Sequence, residues 1–219
     1  MNFIVRAILI LGLLLPSLTQ AQESSLGNWL IYIGNKKLNE KWNLHHEIQY
    51  RNYDAIGDLE QLLLRTGLGY TFNENKRNIL LGYGYISSEN YVGETTDKKT
   101  VNEHRIFQQY SSKQTVGKLN LSHRYRFEQR FVESDFKMRL RYFLGLKIPI
   151  KIKEKNNYYF SAYNEVFINT KYTLYDRNRL YGGVGYNVNK GLRLEMGYMN
   201  QFFKNGNRDQ VNLFCFYSF

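Results

Sequence analysis

The chain has 219 residues, a net charge of +11 and one cysteine, which excludes an intrachain disulfide framework and bounds it to a domain of moderate size. Aromatic residues make up 16% of it, with 19 tyrosines and 14 phenylalanines. In a cytosolic protein this charge would suggest nucleic acid. Here the lysines lie scattered in turn-like stretches, most arginines lie inside extended runs, and the N-terminus reads as an export signal, so no nucleic-acid partner is expected.

Met1 to Ala21, MNFIVRAILILGLLLPSLTQA, has a positive start at Arg6, an apolar core over Ala7–Leu15 and a small-residue end at Ala21. That is the pattern of a cleaved secretory signal, with a core too short to cross a bilayer as a helix. The expected organisation is a signal peptide over residues 1–21 and one domain over 22–219. No later apolar run reaches the length of a spanning helix.

The remainder is a series of extended runs. Trp29–Leu38 comes first and has no polar face. Trp42–Tyr53 alternates cleanly, with Trp42, Leu44, His46, Ile48 and Tyr50 on one parity and Asn43, His45, Glu47, Gln49 and Arg51 on the other. Leu59–Phe72 follows, then a short turn over Asn73–Asn78 and a run with Ile79, Leu81, Tyr83 and Tyr85 on one face. Ser87–Thr100 is polar and reads as the longest loop. Glu103, Arg105, Phe107 and Gln109 mark the next strand, and a turn is expected around Ser111–Gly117.

Leu119–Phe131, LNLSHRYRFEQRF, separates a largely apolar face from a fully polar one over about 13 residues, more than the 5–6 usual in a globular strand and enough for a tilted bilayer span. Phe136–Ile148, Tyr158–Ile168, Arg177–Val188 and Leu192–Phe202 alternate in the same way, and Asn187–Gly191 is a tight-turn signal. The final run sets Val211, Leu213, Cys215, Tyr217 and Phe219 on one parity, with Cys215 acting as a small hydrophobe. These are eleven runs, whereas bacterial single-chain barrels have even strand numbers. Ten strands are therefore expected, or twelve, with the Trp29 run at the rim, in the lumen, or paired with a further short strand.

Alternation alone fits a soluble barrel with its apolar face inward or a membrane barrel with that face toward lipid. Export favours the second when taken with the last strand, whose end at Phe219 resembles the assembly signal of bacterial outer-membrane proteins. The expectation is an all-β, antiparallel transmembrane β-barrel of about 10–12 strands, with a polar lumen and a lipid-facing aromatic and aliphatic exterior.

The runs WNLHHEIQYRNYD (Trp42–Asp54), EHRIFQQ (Glu103–Gln109), RYRFEQRF (Arg124–Phe131), YNEVF (Tyr163–Phe167), YDRNRLYGGVGY (Tyr175–Tyr186) and LEMGYMNQ (Leu194–Gln201) together resemble the bacterial outer-membrane domain-of-unknown-function family numbered 2490, common in Bacteroidetes. The resemblance covers nearly all of the chain after residue 21. It implies an outer-membrane location and carries no activity or catalytic residues. A last strand ending in Phe219 also resembles the assembly signal of bacterial outer-membrane proteins, which implies outer-membrane lipid and the barrel-assembly machinery as partners.

On this parity the lumen carries Arg51, Arg65, Arg105, Arg124, Arg126, Arg130, Arg139, Arg141, Arg177, Arg179 and Arg193 against Glu47, Glu103, Glu128, Glu165 and Glu195. One reading is a lattice of Arg–Glu pairs bracing a narrow barrel, or a closed barrel that binds partners through its loops. The other is a passive pore, because surplus arginines in a narrow channel attract small anionic solutes. A membrane-embedded lipid hydrolase is the third reading. It needs a nucleophile and a base within reach, yet His45, His46, His104 and His123 lie on different strands, and Ser122 and His123 point apart. No metal or cofactor is expected, and no catalytic residue is assigned.

Overall fold

A computed structural model describes residues 26–219 apart from 55, 56, 75, 153, 154 and 172. The expected signal peptide, 1–21, lies outside the described residues. Within them the chain forms β1 (Gly27–Lys37), β2 (Trp42–Asn52), β3 (Leu59–Phe72), β4 (Arg77–Tyr91), β5 (Lys98–Val116), β6 (Leu119–Val132), β7 (Asp135–Ile152), β8 (Lys155–Asn169), β9 (Tyr175–Asn187), β10 (Leu192–Phe203) and β11 (Gly206–Ser218). Each pairs antiparallel with the next, and β1 closes the barrel against β11.

The closure corrects the strand count. An odd number of up-and-down strands necessarily leaves the first and last running the same way. Accordingly β1 and β11 pair in parallel, from Gly27 opposite Gln210 to Asn35 opposite Ser218. The seam continues past the strand end, where Phe219 N–H donates to Asn35 C=O at 3.1 Å and Lys37 N–H donates to Phe219 C=O at 2.8 Å. The Trp29 run is thus a full wall strand, and the barrel has eleven strands rather than ten or twelve. Chain entry at Gly27 and the C-terminus lie at opposite ends of the barrel.

Two further expectations change. The polar stretch 87–100 is mostly ladder: β4 runs to Tyr91, β5 starts at Lys98, and the connecting loop is residues 92–97. β5 likewise continues to Val116, through the stretch expected to turn. Polar composition misled in both places because a strand beyond the apolar belt has no oily face to show.

At the Phe219 end, Asn39 and Asn189 close their turns in the same way. The Asn39 side-chain oxygen accepts from Lys41 N–H and Trp42 N–H, both at 2.9 Å, and that of Asn189 accepts from Gly191 N–H and Leu192 N–H, both at 2.8 Å. In the turn after β3, Asn73 and Glu74 both adopt the left-handed conformation, with φ of 52° and 53°. Such consecutive left-handed residues match the twist of a tight hairpin.

The exterior is apolar. Ile48, Leu64, Leu81, Ile106, Leu140 and Leu180 all stand exposed on outward positions. Aromatic pairs gather at the two ends of this aliphatic band. Trp42–Tyr70, Tyr158–Tyr186 and Tyr217–Phe219 lie at the C-terminal end with ring centroids 5.2, 4.9 and 5.0 Å apart; Tyr53–Tyr91 and Phe131–Phe136 lie at the other, each 5.1 Å apart. Cys215 is a free, half-buried thiol among outward residues of β11.

Two tests follow from this topology. With Cys215 replaced by alanine, Leu30→Cys and Leu213→Cys, which face each other in the parallel register, are expected to join under oxidation or a short bifunctional thiol reagent; linkage of Ile48→Cys to Leu213→Cys instead would contradict the β1–β11 seam. At the rim opposite Phe219, Asp58 pairs with Lys98 and accepts from Tyr91 Oη at 2.6 Å, joining the loop after β2 to the β4–β5 hairpin. Burial acts to raise the Asp58 carboxyl, but these two bonds outweigh it and hold its pKa below the ordinary value. A lowered carboxyl pKa contributes stability above the unfolded value of roughly pH 4 that is lost as pH falls through the folded one. Proteolysis of this loop is therefore expected to be constant from neutral pH to about pH 4 and to rise only below it, whereas Asp58→Asn, which has no carboxyl to titrate, is expected to be cleaved faster already at neutral pH and without that rise.

Candidate functional site

The alternation that leaves the exterior oily turns the charged side chains into the barrel. Glu47, Arg51, Arg65, Glu103, Arg105, Arg126, Glu128, Arg139, Arg141, Glu165, Arg179 and Glu195 are buried there, and Arg124, Arg130, Arg177 and Arg193 are half-buried. Register brings opposite charges face to face in three places: Glu47 opposite Arg65, Glu128 opposite Arg139, and Glu165 opposite Arg179. Cross-strand neighbours of this kind attract.

Register also sets like charges against each other, and these positions need a mediator. Arg105 lies opposite Arg130, and Glu103 binds both: it pairs with Arg105 and accepts from Arg130 Nε at 2.6 Å and Nη2 at 2.9 Å. Arg126 lies opposite Arg141, and Glu128 stands beside them. Glu128 is 0% exposed; it accepts from Arg139 Nη2 and Arg141 Nη1, each at 2.7 Å, with Arg126 Nη1 3.7 Å away.

The pairs join into one chain of alternating sign: Arg177, Asp176, Arg139, Glu128, Arg141, Glu165 and Arg124. Its links beyond Glu128 are Arg139 to Asp176 at 2.8 Å, Arg141 to Glu165 at 2.7 Å and Arg124 to Glu165 at 2.8 Å. Asp176 is a member that alternation misses. Strict period two would point it outward beside Arg177, but a register shift between Phe167 and Ile168 gives β9 an extra residue there and turns Asp176 inward. The available signal was an acid at the start of a parity that turns apolar from Leu180 onward.

Arg51 is held by amide oxygens, bonding Gln61 at 2.6 Å and also Gln49, and its guanidinium stacks 3.7 Å from the Trp29 ring centroid. Arg179 donates to Gln201 at 2.7 Å and stacks on Trp29 and Phe167 at 4.8 and 4.6 Å. Arg193 stacks on Phe216 at 4.1 Å, and Tyr159 Oη donates to Glu195 at 2.8 Å. Stacking of this kind is electrostatic attraction to the ring face and strengthens where water is excluded.

The interior is therefore not uniformly polar, which corrects the expected lumen. Trp29, Ile31, Tyr181 and Met199 form a buried apolar cluster, extended by Ile33, Tyr163 and Phe214. β1 and β11 supply much of this stripe. Because β1 is apolar on both faces, it had no readable parity in the sequence. Phe107 and Phe167 are also buried inside the barrel, and both carry arginines on their faces, with Arg126 4.6 Å from Phe107 and Arg141 4.4 Å from Phe167.

A cavity of about 250 Å³ faces the Phe219 end, and another of about 240 Å³ faces the opposite end. Trp29, Arg51, Arg65, Arg141 and Arg179 line both. They are the waist of the barrel, the stretch of wall that the two basic chambers share. The hydrolase candidates do not converge. His45 faces inward, 3.4 Å from Glu47, while His46, His104 and His123 hydrogen-bond Tyr32, Tyr83 and Tyr142 on the outer face. Ser122 Oγ donates to Gly145 C=O at 3.5 Å. Among the described residues no cluster of His, Cys, Asp or Glu has the makings of a metal site.

Removing one partner from a buried ion-pair network leaves the others charged and unpaired, a loss of about 3–5 kcal/mol. Glu128→Ala is expected to destabilise the barrel by that order in reversible urea unfolding from detergent or vesicles. A loss under about 1 kcal/mol, the level of an exposed pair, would mean that the chain of charges is not what holds the waist.

The model of one protein family, described as a protein of unknown function (DUF2490), matches residues 26–212. No curated protein and no solved structure matches the chain. The match spans β1 to the middle of β11, including the parallel seam strand and the whole charged interior, and the chain belongs to the DUF2490 family.

Proposed function

We propose that this chain is an outer-membrane β-barrel whose lumen is held shut at the waist, a closed scaffold with anion-attracting chambers and no enzymatic role. The observation that carries this reading is the shared wall of Trp29, Arg51, Arg65, Arg141 and Arg179 between the two chambers. Its guanidinium groups are anchored by carboxylates, amide oxygens and ring faces rather than left in an open channel.

The membrane location is supported by three features read together. Closure satisfies every sheet edge, as a bilayer requires of spanning strands. Strands of 11 to 19 residues meet or exceed the roughly 9–11 that a tilted span needs. The aliphatic band with aromatic pairs at both ends matches the lipid-facing belt and interfacial girdles of membrane barrels. Residues 1–21 would then direct export and Phe219 would serve in assembly, placing the Asn39 and Asn189 turns on the periplasmic side and Gly27 on the outside.

The rival reading is a passive pore for small anions. It is favoured by the surplus of arginine over carboxylate on the chamber walls, which concentrates anions in a low-dielectric cleft. Planar-bilayer recording under a salt gradient separates the two. The closed reading expects no steady conductance from the native protein and an anion-preferring current from Trp29→Ala/Arg51→Ala, which thins the waist. Steady anion-selective conductance in the native protein would overturn it in favour of the pore.

A further inference from the structure

The chamber on the Phe219 side has two unlike walls. β6 lies across the barrel from the β1–β11 seam, since four strands separate it from β1 on one side and four separate it from β11 on the other. Its Arg124 and Arg126 line the chamber, with Arg65 from β3 and Lys147 from β7 beside them. The seam side presents Ile31, Ile33, Phe214 and Phe216.

The basic wall also carries unused donors. Arg65 Nε, Arg124 Nε and Arg126 Nη1 are buried without a hydrogen-bond partner, and the Arg65 and Arg126 residues are only 7% and 3% exposed. A buried donor left unpaired costs about 1–3 kcal/mol, and three on one cavity wall make a ready donor site for an acceptor group. Glu165, Glu47 and Glu128 neutralise part of this wall through Arg124, Arg65 and Arg126, Glu128 lying 3.7 Å from Arg126 Nη1, but none of them hydrogen-bonds these N–H groups.

We infer that this chamber binds a small amphipathic carboxylate, with the carboxylate on the Arg65–Arg124–Arg126 donors and an apolar body against Ile31, Ile33 and Phe214. Size selects the class. An apolar cavity of about 150 Å³ holds one benzene, so about 250 Å³ holds a single ring, a short linker and a carboxylate. A neutral analogue leaves the guanidinium donors unpaired, and an inorganic anion leaves the seam wall uncovered. Access is from the Phe219 end, where an adjoining cavity of about 340 Å³ shares His45 and Gln109 with the chamber and bears Lys37, Lys41, Lys76, Arg77 and Lys113. The site uses the closed barrel but does not need the waist to stay shut, so bilayer conductance and ligand binding can fail independently.

Trp29 lines the chamber and the second tryptophan, Trp42, stands on the outer face. In a Trp42→Phe background, Trp29 fluorescence therefore reports occupancy of the full-length protein in detergent. Titration with 3-phenylpropionate is expected to give a saturable change, at least tenfold tighter than with 3-phenylpropanol, propionate or inorganic phosphate. Arg124→Gln is expected to weaken 3-phenylpropionate at least tenfold while leaving the propanol unchanged. Ile33→Asn, on the opposite wall, is expected to weaken it as well, and serves if the arginine variant does not fold. No saturable change, or equal affinity for phenylpropionate and phosphate, would overturn the proposal.

Discussion

The structure depends on Glu128. It is completely enclosed, and three arginines from two strands converge on its carboxylate. Without it, Arg126 and Arg141 would face each other directly across the β6–β7 ladder, a like-charge contact that destabilises a sheet. Moving a carboxylate out of water is costly and is repaid only when geometry and further hydrogen bonds are favourable. Here one carboxylate serves several cations, and the same device recurs with Glu103 and Glu165. The barrel places its charges inside because its other face is oily, and the carboxylates make that crowding tolerable.

A second constraint is the odd strand count. Because β1 and β11 must run in the same direction, the seam is the one ladder with parallel geometry, whose bonds are slanted and slightly weaker per residue. The chain compensates with side chains. Trp29 and Ile31 are buried from β1, while Phe214 packs on the same cluster from β11, so apolar contact reinforces the seam from within. Stacked arginines then cover the outer edges of that cluster. The same apolar stripe gives the chamber near Phe219 its two-faced character, so the seam's stability and the chamber's chemistry have one origin.

Much of this could be read from residue order. Where one face was apolar and the other polar, as in β2, β6, β10 and β9 from Arg177 onward, the period of two in the sequence runs in step with the alternation of exposed and buried side chains. Legibility failed where the period carried no contrast. β1 is apolar on both faces, so it could not be oriented, and its partner lies nearly two hundred residues away, about the longest loop closure a chain of this length can make. The ends of β4 and β5 are polar on both faces and read as loop. Asp176 escaped because a one-residue bulge reverses parity locally. The junction of the two cavities is a further step removed: Arg51 and Arg141 face Trp29 and Phe167 in register, but Arg179 reaches Trp29 from β9 across two intervening strands, which no pairwise strand pattern encodes.

The central claim is the direction in which each wall residue points, and β6 states it most sharply. A single-cysteine scan from Ser122 to Phe131, in a Cys215→Ala background reconstituted into vesicles, would carry a fluorophore quenched by nitroxide on the lipid chains. The account expects quenching at His123, Tyr125, Phe127 and Gln129 and protection at Ser122, Arg124, Arg126 and Glu128. The opposite parity, or equal quenching along the strand, would contradict it.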